Sequence, residues 1–138
     1  MGPLDARLVA LDAKTGKRLW KTEAPGEPTG RKSSSTPCVV DGRLFAAGST
    51  HVYCMDAKTG QEYYHERTHR QRHRASPVFV DGKIICVARD GMISVVQAGK
   101  TFKVLAQNNL GDAIAASPAI AGGTMYLRSF GSLWAIRK

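Results

Sequence analysis

Three variants of one eight-residue stretch recur along this chain. The copies are Ser35–Gly42, Ala75–Gly82 and Ala116–Gly123, and each contains a Pro preceded by Ser or Thr. Their prolines, at positions 37, 77 and 118, are separated by 40 and then 41 residues. A period of this length indicates repeated supersecondary units, each of which buries its apolar face only against a neighbouring unit. The recurrence therefore predicts the architecture far more strongly than it predicts an activity.

Short β-strands are the main local signal inside each repeat. Runs rich in β-branched residues, such as 78–80, 84–87 and 93–96, alternate with Asp-Gly pairs. Asp-Gly between such runs is typical of a hairpin turn, because glycine adopts positive φ without strain. No stretch shows a capped apolar period of 3.6 residues, so the sequence predicts an all-β fold.

Alignment of the repeats gives about four strands per copy. The predicted strands lie near 7–12, 17–22, 36–40, 43–48, 51–56, 61–66, 75–80, 83–89, 92–97, 101–107, 117–121, 124–128 and 132–137. Radially arranged, four-stranded antiparallel units of this size form a β-propeller. We expect one propeller fragment over 1–138, with a partial blade at 1–34, blades at 35–74 and 75–115, and a three-stranded C-terminal blade at 116–138.

The predicted strands amount to about 3 to 3.5 blades, whereas closed propellers have about four to eight. We therefore expect an open arc, or the C-terminal fragment of a larger propeller. Self-assembly of arcs to complete the ring is the alternative. An isolated arc would leave two sheet faces exposed, with a risk of aggregation.

One motif occurs at the turn between the predicted third and fourth strands of a blade. Its first copy, 8–20, contains Ala10, Asp12, Thr15, Gly16 and Trp20, and its second, 52–64, contains Cys54, Asp56, Thr59, Gly60 and Tyr64. It resembles the tryptophan-docking motif of quinoprotein (PQQ-like) β-propellers, A-x-D-x-x-T-G-x-x-x-W. In the third blade the motif is degenerate, with 97–100 reading Gln-Ala-Gly-Lys and Val104 near the tryptophan position.

The residue types of this motif fit a structural role. Asp12 and Thr15 have short polar side chains that hydrogen-bond to nearby backbone amides, and Gly16 suits a left-handed turn position. The family resemblance implies that Trp20 stacks on the backbone of the neighbouring blade. We therefore expect the motif to serve cohesion between blades rather than chemistry.

Positive charge is the main functional hint in the composition. The chain has a formal net charge of +9, and 65–74 contains Arg67, Arg70, Arg72 and Arg74 beside a single Glu. These arginines form a possible basic binding loop for a polyanion. Nucleic acid is disfavoured as a partner, because only Tyr63 and Tyr64 lie beside the loop and one loop is a small footprint.

Histidine spacing in the same segment suggests a metal site only at first sight. His65, His69 and His73 are four residues apart and would share one face of a helix. They follow a predicted strand, however, and lie among arginines that repel a cation. We therefore expect a solvated basic loop and no metal ligands.

The cysteines and the apolar runs bear on redox state and membrane insertion. Cys38, Cys54 and Cys86 each lie within an apolar run, none belongs to a C-x-x-C pair, and buried free thiols are expected. No apolar run is long enough for a transmembrane helix, and residues 1–7 do not read as a signal peptide.

The resemblance implies a non-catalytic PQQ-like repeat protein that acts as a protein-interaction scaffold or binding module. It also implies a bacterial periplasmic or cell-envelope location, although the lack of a signal peptide in this chain keeps the cytoplasm open. The partner would be another protein, or further propeller blades of the same protein. No catalytic, cofactor-binding or metal-binding residue is nominated, and no cofactor is expected.

The main alternative is a fragment of a PQQ-dependent alcohol or sugar dehydrogenase. Enzymes of this kind bind pyrroloquinoline quinone and calcium on the propeller axis and often stack the quinone on a vicinal disulfide. The chain has no adjacent cysteine pair. Enzymatic activity is therefore left open but is not the reading that we favour. The second alternative is a polyanion-binding surface formed by the basic loop 65–74.

Overall fold

The computed structural model describes residues 8–22, 35–48 and 50–137, all of which are strands, turns and loops. The first sheet contains β1 (Leu8–Leu11) and β2 (Arg18–Thr22). The second contains β3 (Cys38–Val40), β4 (Arg43–Gly48), β5 (His51–Asp56) and β6 (Glu62–Arg67). The third contains β7 (Val78–Val80), β8 (Lys83–Val87), β9 (Met92–Gln97) and β10 (Val104–Asn109). The fourth contains β11 (Ala119–Ala121), β12 (Thr124–Arg128) and β13 (Leu133–Arg137).

Each sheet is an antiparallel meander in which consecutive strands are neighbours. The predicted all-β fold with four-stranded units is confirmed, and the sheets form a partial β-propeller in which the four do not close a ring. We refer to the four sheets in chain order as blades one to four. No helix in the part of the chain that the structure describes is long and apolar enough to cross a membrane.

The hydrophobic core lies between the blades rather than within them. Neighbouring residues of β4 point to opposite faces, so that Leu44 belongs to a cluster with Leu8 and Trp20 of blade one. Phe45 belongs to a cluster with Ile84 of blade three. A further cluster joins blades three and four. Because the central strands of blades two and three are buried on both faces, neighbouring blades depend on one another for a core.

The repeated octet also links one blade to the next by hydrogen bonds. The Thr36 backbone amide donates to Ser76 Oγ over 2.8 Å, and the Ser76 amide donates to Ser117 Oγ over 2.9 Å. In each copy of the octet, the residue involved is the one that immediately precedes the repeated proline. The innermost strands are therefore shorter than predicted, with β7 beginning at Val78 rather than near residue 75, because the backbone at Ser76 bonds between blades.

Both end blades carry exposed apolar side chains. In blade one, Val9, Leu11 and Leu19 are exposed, whereas Tyr53 and Met55, which occupy the positions of Val9 and Leu11 in blade two, are buried against blade one. In blade four, Leu133 is 72% exposed. The faces that are buried in the interior of the arc thus lie open at its two ends.

Candidate functional site

The first turn motif is organised by one carboxylate. Asp12 Oδ1 accepts hydrogen bonds from the Lys14 amide at 2.9 Å, the Thr15 amide at 2.8 Å and the Thr15 hydroxyl at 3.0 Å. The Gly16 amide donates to the Asp12 carbonyl at 2.8 Å, and Gly16 has a φ of 70°. The side chain and the backbone of Asp12 together close the turn, which is the arrangement expected of an Asx-type turn.

The second copy has the same geometry, with one addition. Asp56 Oδ1 accepts the amides of Lys58 at 2.8 Å and Thr59 at 2.9 Å, while the Tyr63 hydroxyl donates to Asp56 Oδ2 at 3.0 Å. The Thr15 amide is the main cause that lowers the pKa of Asp12, and the Thr59 amide is the main cause that lowers the pKa of Asp56. Hydrogen bonds to the charged form favour that form.

These carboxylates should make the fold sensitive to acid. Because the folded-state pKa of both groups lies below the usual 3.8, their contribution is complete above that value and is lost as the pH falls through the folded-state pKa. We expect the urea midpoint of the wild-type chain to fall between pH 5 and pH 3, and to fall less in the double variant Asp12→Asn/Asp56→Asn. An amide oxygen accepts the same turn bonds but does not titrate. An equal fall in both proteins would contradict this assignment.

Trp20 makes the contact between blades one and two. Its indole Nε1 donates to the Ala57 carbonyl at 3.0 Å. A Cβ placed on Gly60 would lie 2.8 Å from the indole atoms Cδ2 and Cε3, so the ring packs directly against the glycine backbone. Gly60 has a φ of 75° and therefore combines a turn requirement with a close approach. The geometry places the ring of one blade directly on the turn motif of the next.

The equivalent contact between blades two and three has a different composition. Tyr64 lies opposite Cys54 in the strand register, as Trp20 lies opposite Ala10. Tyr64 packs against Phe102 with ring centroids 5.4 Å apart, and Cys54 Sγ contacts the Gly99 carbonyl at 3.6 Å. An aromatic pair here replaces the indole-on-glycine stack. Phe102 was missed by the sequence reasoning, and the only signal for it was the degenerate motif at 97–100.

The three cysteines are free thiols that differ in environment. Burial raises the pKa of Cys54 to about 11 and that of Cys86 to about 12. Cys54 and Cys86 are at most 1% exposed, whereas Cys38 is partly exposed. Both buried side chains belong to the cluster between blades two and three.

Iodoacetamide should therefore distinguish the cysteines, because the thiolate is the reactive species. At pH 8 in native buffer we expect Cys38 to be alkylated at least tenfold faster than Cys54 or Cys86, as measured by peptide mass spectrometry. In 6 M guanidinium all three should react at similar rates. Labelling of Cys86 as fast as Cys38 in the native protein would show that this blade interface is open.

The basic loop is packed in part against the rest of the protein. Arg67, Arg70 and Arg74 are exposed and Arg72 is partly exposed. Between them, Thr68 is buried and His73 is 3% exposed. The expectation of a solvated loop is therefore wrong in part, because the loop alternates outward arginines with inward residues.

The loop is anchored to blade three. Gln107 Nε2 donates to the Thr68 carbonyl at 2.8 Å, and His73 forms an antiparallel bridge with Ala88. The Arg89 amide donates to the Arg72 carbonyl at 2.7 Å. The backbone of the loop thus lies against the turn that joins β8 and β9.

The three histidines have separate partners rather than a common one. His65 Nδ1 lies 2.6 Å from Glu62 Oε1, and His69 Nε2 lies 2.7 Å from Asp90 Oδ2. His73 Nε2 lies 3.0 Å from the Thr68 hydroxyl. Among residues 8–22, 35–48 and 50–137, no group of three or more His, Cys, Asp or Glu side chains could hold a metal ion.

Arg89 and Phe130 are two further exposed residues beside the basic loop, and the sequence did not predict a role for either. The Ile114 amide donates to the Arg89 carbonyl at 2.9 Å, and the Phe130 amide donates to the Ala113 carbonyl at 3.0 Å. Together with the bond from Arg89 to Arg72, these bonds align four backbone segments side by side. Phe130 is 73% exposed. We call the surface formed by Arg72, Arg89, Ala113 and Phe130 the loop strip.

Comparison with known proteins gives the family. The family model described as outer membrane protein assembly factor BamB matches residues 4–138. The quinoprotein alcohol dehydrogenase PedH of Pseudomonas putida is 32% identical over 106 residues, which are 73% of this chain and 17% of that protein. The chain thus spans about a sixth of the length of this curated relative.

Solved structures give the same fold. BamB from Moraxella catarrhalis superposes with a TM-score of 0.78 at 20% identity, covering 96% of this chain and 40% of that chain. The quinohemoprotein alcohol dehydrogenase ADHIIG from Pseudomonas putida HK5 superposes with a TM-score of 0.63 at 23% identity, covering 73% of this chain and 17% of that chain. The family match over residues 4–138 shows that the chain belongs to the PQQ-like β-propeller repeat family that includes BamB.

Proposed function

We propose that this chain acts as a non-catalytic interaction scaffold in the bacterial periplasm or cell envelope. The observation that carries the proposal is that the side chains of the family motif hold the turns and the contact between blades. Asp12 and Asp56 accept hydrogen bonds from turn amides, and Trp20 donates to a carbonyl of the neighbouring blade. Side chains bonded in this way stabilise the propeller scaffold, and the surface loops are then the part available for binding a partner.

The similarity to BamB supports the same proposal. The superposition on the BamB structure covers 96% of this chain, compared with 73% for the quinohemoprotein dehydrogenase. The family model is described as that of an assembly factor for outer membrane proteins. A fold alone does not determine a function, so a partner must be sought directly.

The test is photo-crosslinking from defined surface positions in the bacterium that carries the gene. A photoreactive amino acid is placed at Arg70 in the basic loop or at Phe130 in the loop strip, and at Lys14 in the β1–β2 turn as the matched control. A scaffold predicts one recurrent protein adduct from the first two positions, whose purified component then binds the chain saturably. Absence of any adduct from all three positions would overturn the proposal.

The alternative of a dehydrogenase fragment is favoured by the 32% identity to PedH. It predicts that the full-length gene product binds pyrroloquinoline quinone in the presence of calcium and reduces an artificial dye when an alcohol or sugar is added. The scaffold proposal predicts no quinone retained after gel filtration and no dye reduction. Bound quinone with turnover would replace the scaffold by the enzyme.

A further inference from the structure

We propose that the loop strip binds an acidic peptide segment that also carries an apolar side chain. The proposal rests on the scaffold function and adds the chemistry of the partner. Its basis is the row of backbone hydrogen bonds from Arg72 through Arg89 and Ile114 to Ala113 and Phe130. Hydrogen-bonded segments lie about 4.8 Å apart, so the row spans on the order of 15 Å, which is about four residues of extended peptide.

Two arginines lie side by side at one end of the loop strip. Residues 72 and 89 flank the antiparallel bridge between His73 and Ala88. His73 and Ala88 are 3% and 1% exposed, and paired segments alternate their side chains between two sides. Arg72 and Arg89 therefore lie on the outward side, with Cβ atoms roughly 5 Å apart by the geometry of such pairs.

Neither guanidinium is compensated within the part of the chain that the structure describes. The ion pairs there involve Arg43, His65, His69 and Lys83, and none involves Arg72 or Arg89. The carboxylate of Asp90, which follows Arg89, is engaged by His69 at 2.7 Å. Like charges placed opposite each other destabilise a strand pair, so an anion between them is favourable.

Phe130 gives the other end of the loop strip a different character. The Phe130 amide donates to the Ala113 carbonyl, just as the Arg89 amide donates to the Arg72 carbonyl. Phe130 in blade four therefore occupies the position that Arg89 has in blade three. Its ring is 73% exposed beside the small Ala113 side chain. Arginine and aromatic residues are the types enriched where binding energy concentrates in protein interfaces. An apolar side chain on the ligand would cover this ring.

The combination favours a peptide over other anionic partners. A nucleic acid is held mainly by many phosphate contacts and by stacking on several aromatic rings, whereas the loop strip offers two arginines and one ring. An anionic lipid surface needs a broader basic patch. Arg67 and Arg70, both exposed in the same basic segment as Arg72, would add long-range attraction without changing the register of the ligand.

The test uses a fluorescein-labelled peptide of sequence Asp-Glu-Asp-Leu-Glu-Asp and fluorescence anisotropy at 50 and 150 mM NaCl. We expect saturable binding that weakens about tenfold in the double variant Arg72→Gln/Arg89→Gln, since the variant loses two charge-assisted hydrogen bonds that solvent screens in part. The control Arg18→Gln/Arg137→Gln removes the same charge from exposed strand positions and should leave the affinity unchanged. Replacing the peptide leucine by serine should weaken binding to the wild type but not to Phe130→Ser.

Three results would overturn the inference. They are absence of saturable binding, an equal loss in the control double variant, and binding of an oligothymidine or of phosphatidylserine vesicles at least as tight as that of the peptide and insensitive to Phe130→Ser. The arginine variant should be at least as stable as the wild type, because it loses no ion pair among the described residues and removes the repulsion between two like charges. If the peptide fails but crosslinking identifies a saturable partner, only the inference falls. Bound quinone with turnover instead removes the scaffold function.

Discussion

Gly60→Ala should destabilise the chain by about 2–4 kcal/mol, whereas Gly16→Ala should cost only about 1 kcal/mol. The two glycines occupy the same position in two copies of one motif, with φ values of 75° and 70°. Alanine in a left-handed conformation carries a similar penalty at both. Only at Gly60 does the added Cβ meet Trp20 at 2.8 Å, while Gly16 has nothing within 4 Å. The difference between the two variants therefore measures blade docking.

Urea unfolding followed by far-UV circular dichroism gives the two free energies. A double-mutant cycle with Trp20→Ala sharpens the comparison, because Gly60→Ala should cost less in that background, where the Thr22 methyl at 3.2 Å remains close to the added Cβ. The indole is pinned by its bond to Ala57, so it cannot move aside without loss. Equal costs for the two glycine variants in the wild-type background would show that the indole does not pack on Gly60.

Phe45→Ala should cost about 3–5 kcal/mol, and Phe79→Ala should cost less than about 1 kcal/mol. Phe45 is 0% exposed in the cluster between blades two and three, whereas Phe79 on β7 is 40% exposed. The chemical change is the same, so the comparison isolates burial at a blade interface. The loss at Phe45 also leaves a cavity beside Ile84 that neighbouring strands fill only in part.

The measurement is again the free energy of unfolding, with the slope of the urea transition checked for each variant. A loss at Phe45 no larger than that at Phe79 would mean that the blades do not share a core. A change of slope would indicate that blades one and two unfold separately from the rest, as repeat proteins do when an interface fails.

The sequence predicted the regular parts of this molecule because they recur. Thirteen strands lie within a few residues of their predicted positions, since Asp-Gly turns and β-branched runs repeat at one period. The turn roles of Asp12 and Gly16 followed from local chemistry, which needs no tertiary information. The predicted start of the first strand in a blade was less accurate. In blade three the strand begins later than predicted, because the Ser76 amide bonds to another blade instead of its own sheet.

The parts that were missed depend on contacts between repeats that are not copies of one another. Phe102 replaces a glycine as the surface against Tyr64, and nothing in the pattern indicates which ring fills that space. Arg89 and Phe130 lie in turns and join the basic loop only through backbone bonds between blades. His73 points inward because its backbone pairs with Ala88 of the next blade. The local sequence around His73 does not predict this pairing.

The most direct test of stacking between blades is a nuclear Overhauser measurement between Trp20 and Gly60. With the indole packed on the glycine, we expect cross-peaks from the indole Hε3 proton to the Gly60 Hα protons, and an upfield ring-current shift at Gly60 that is absent at Gly16. Ordinary glycine Hα shifts at Gly60, with no cross-peak to the indole in a folded sample, would contradict the proposed docking of one blade on the next.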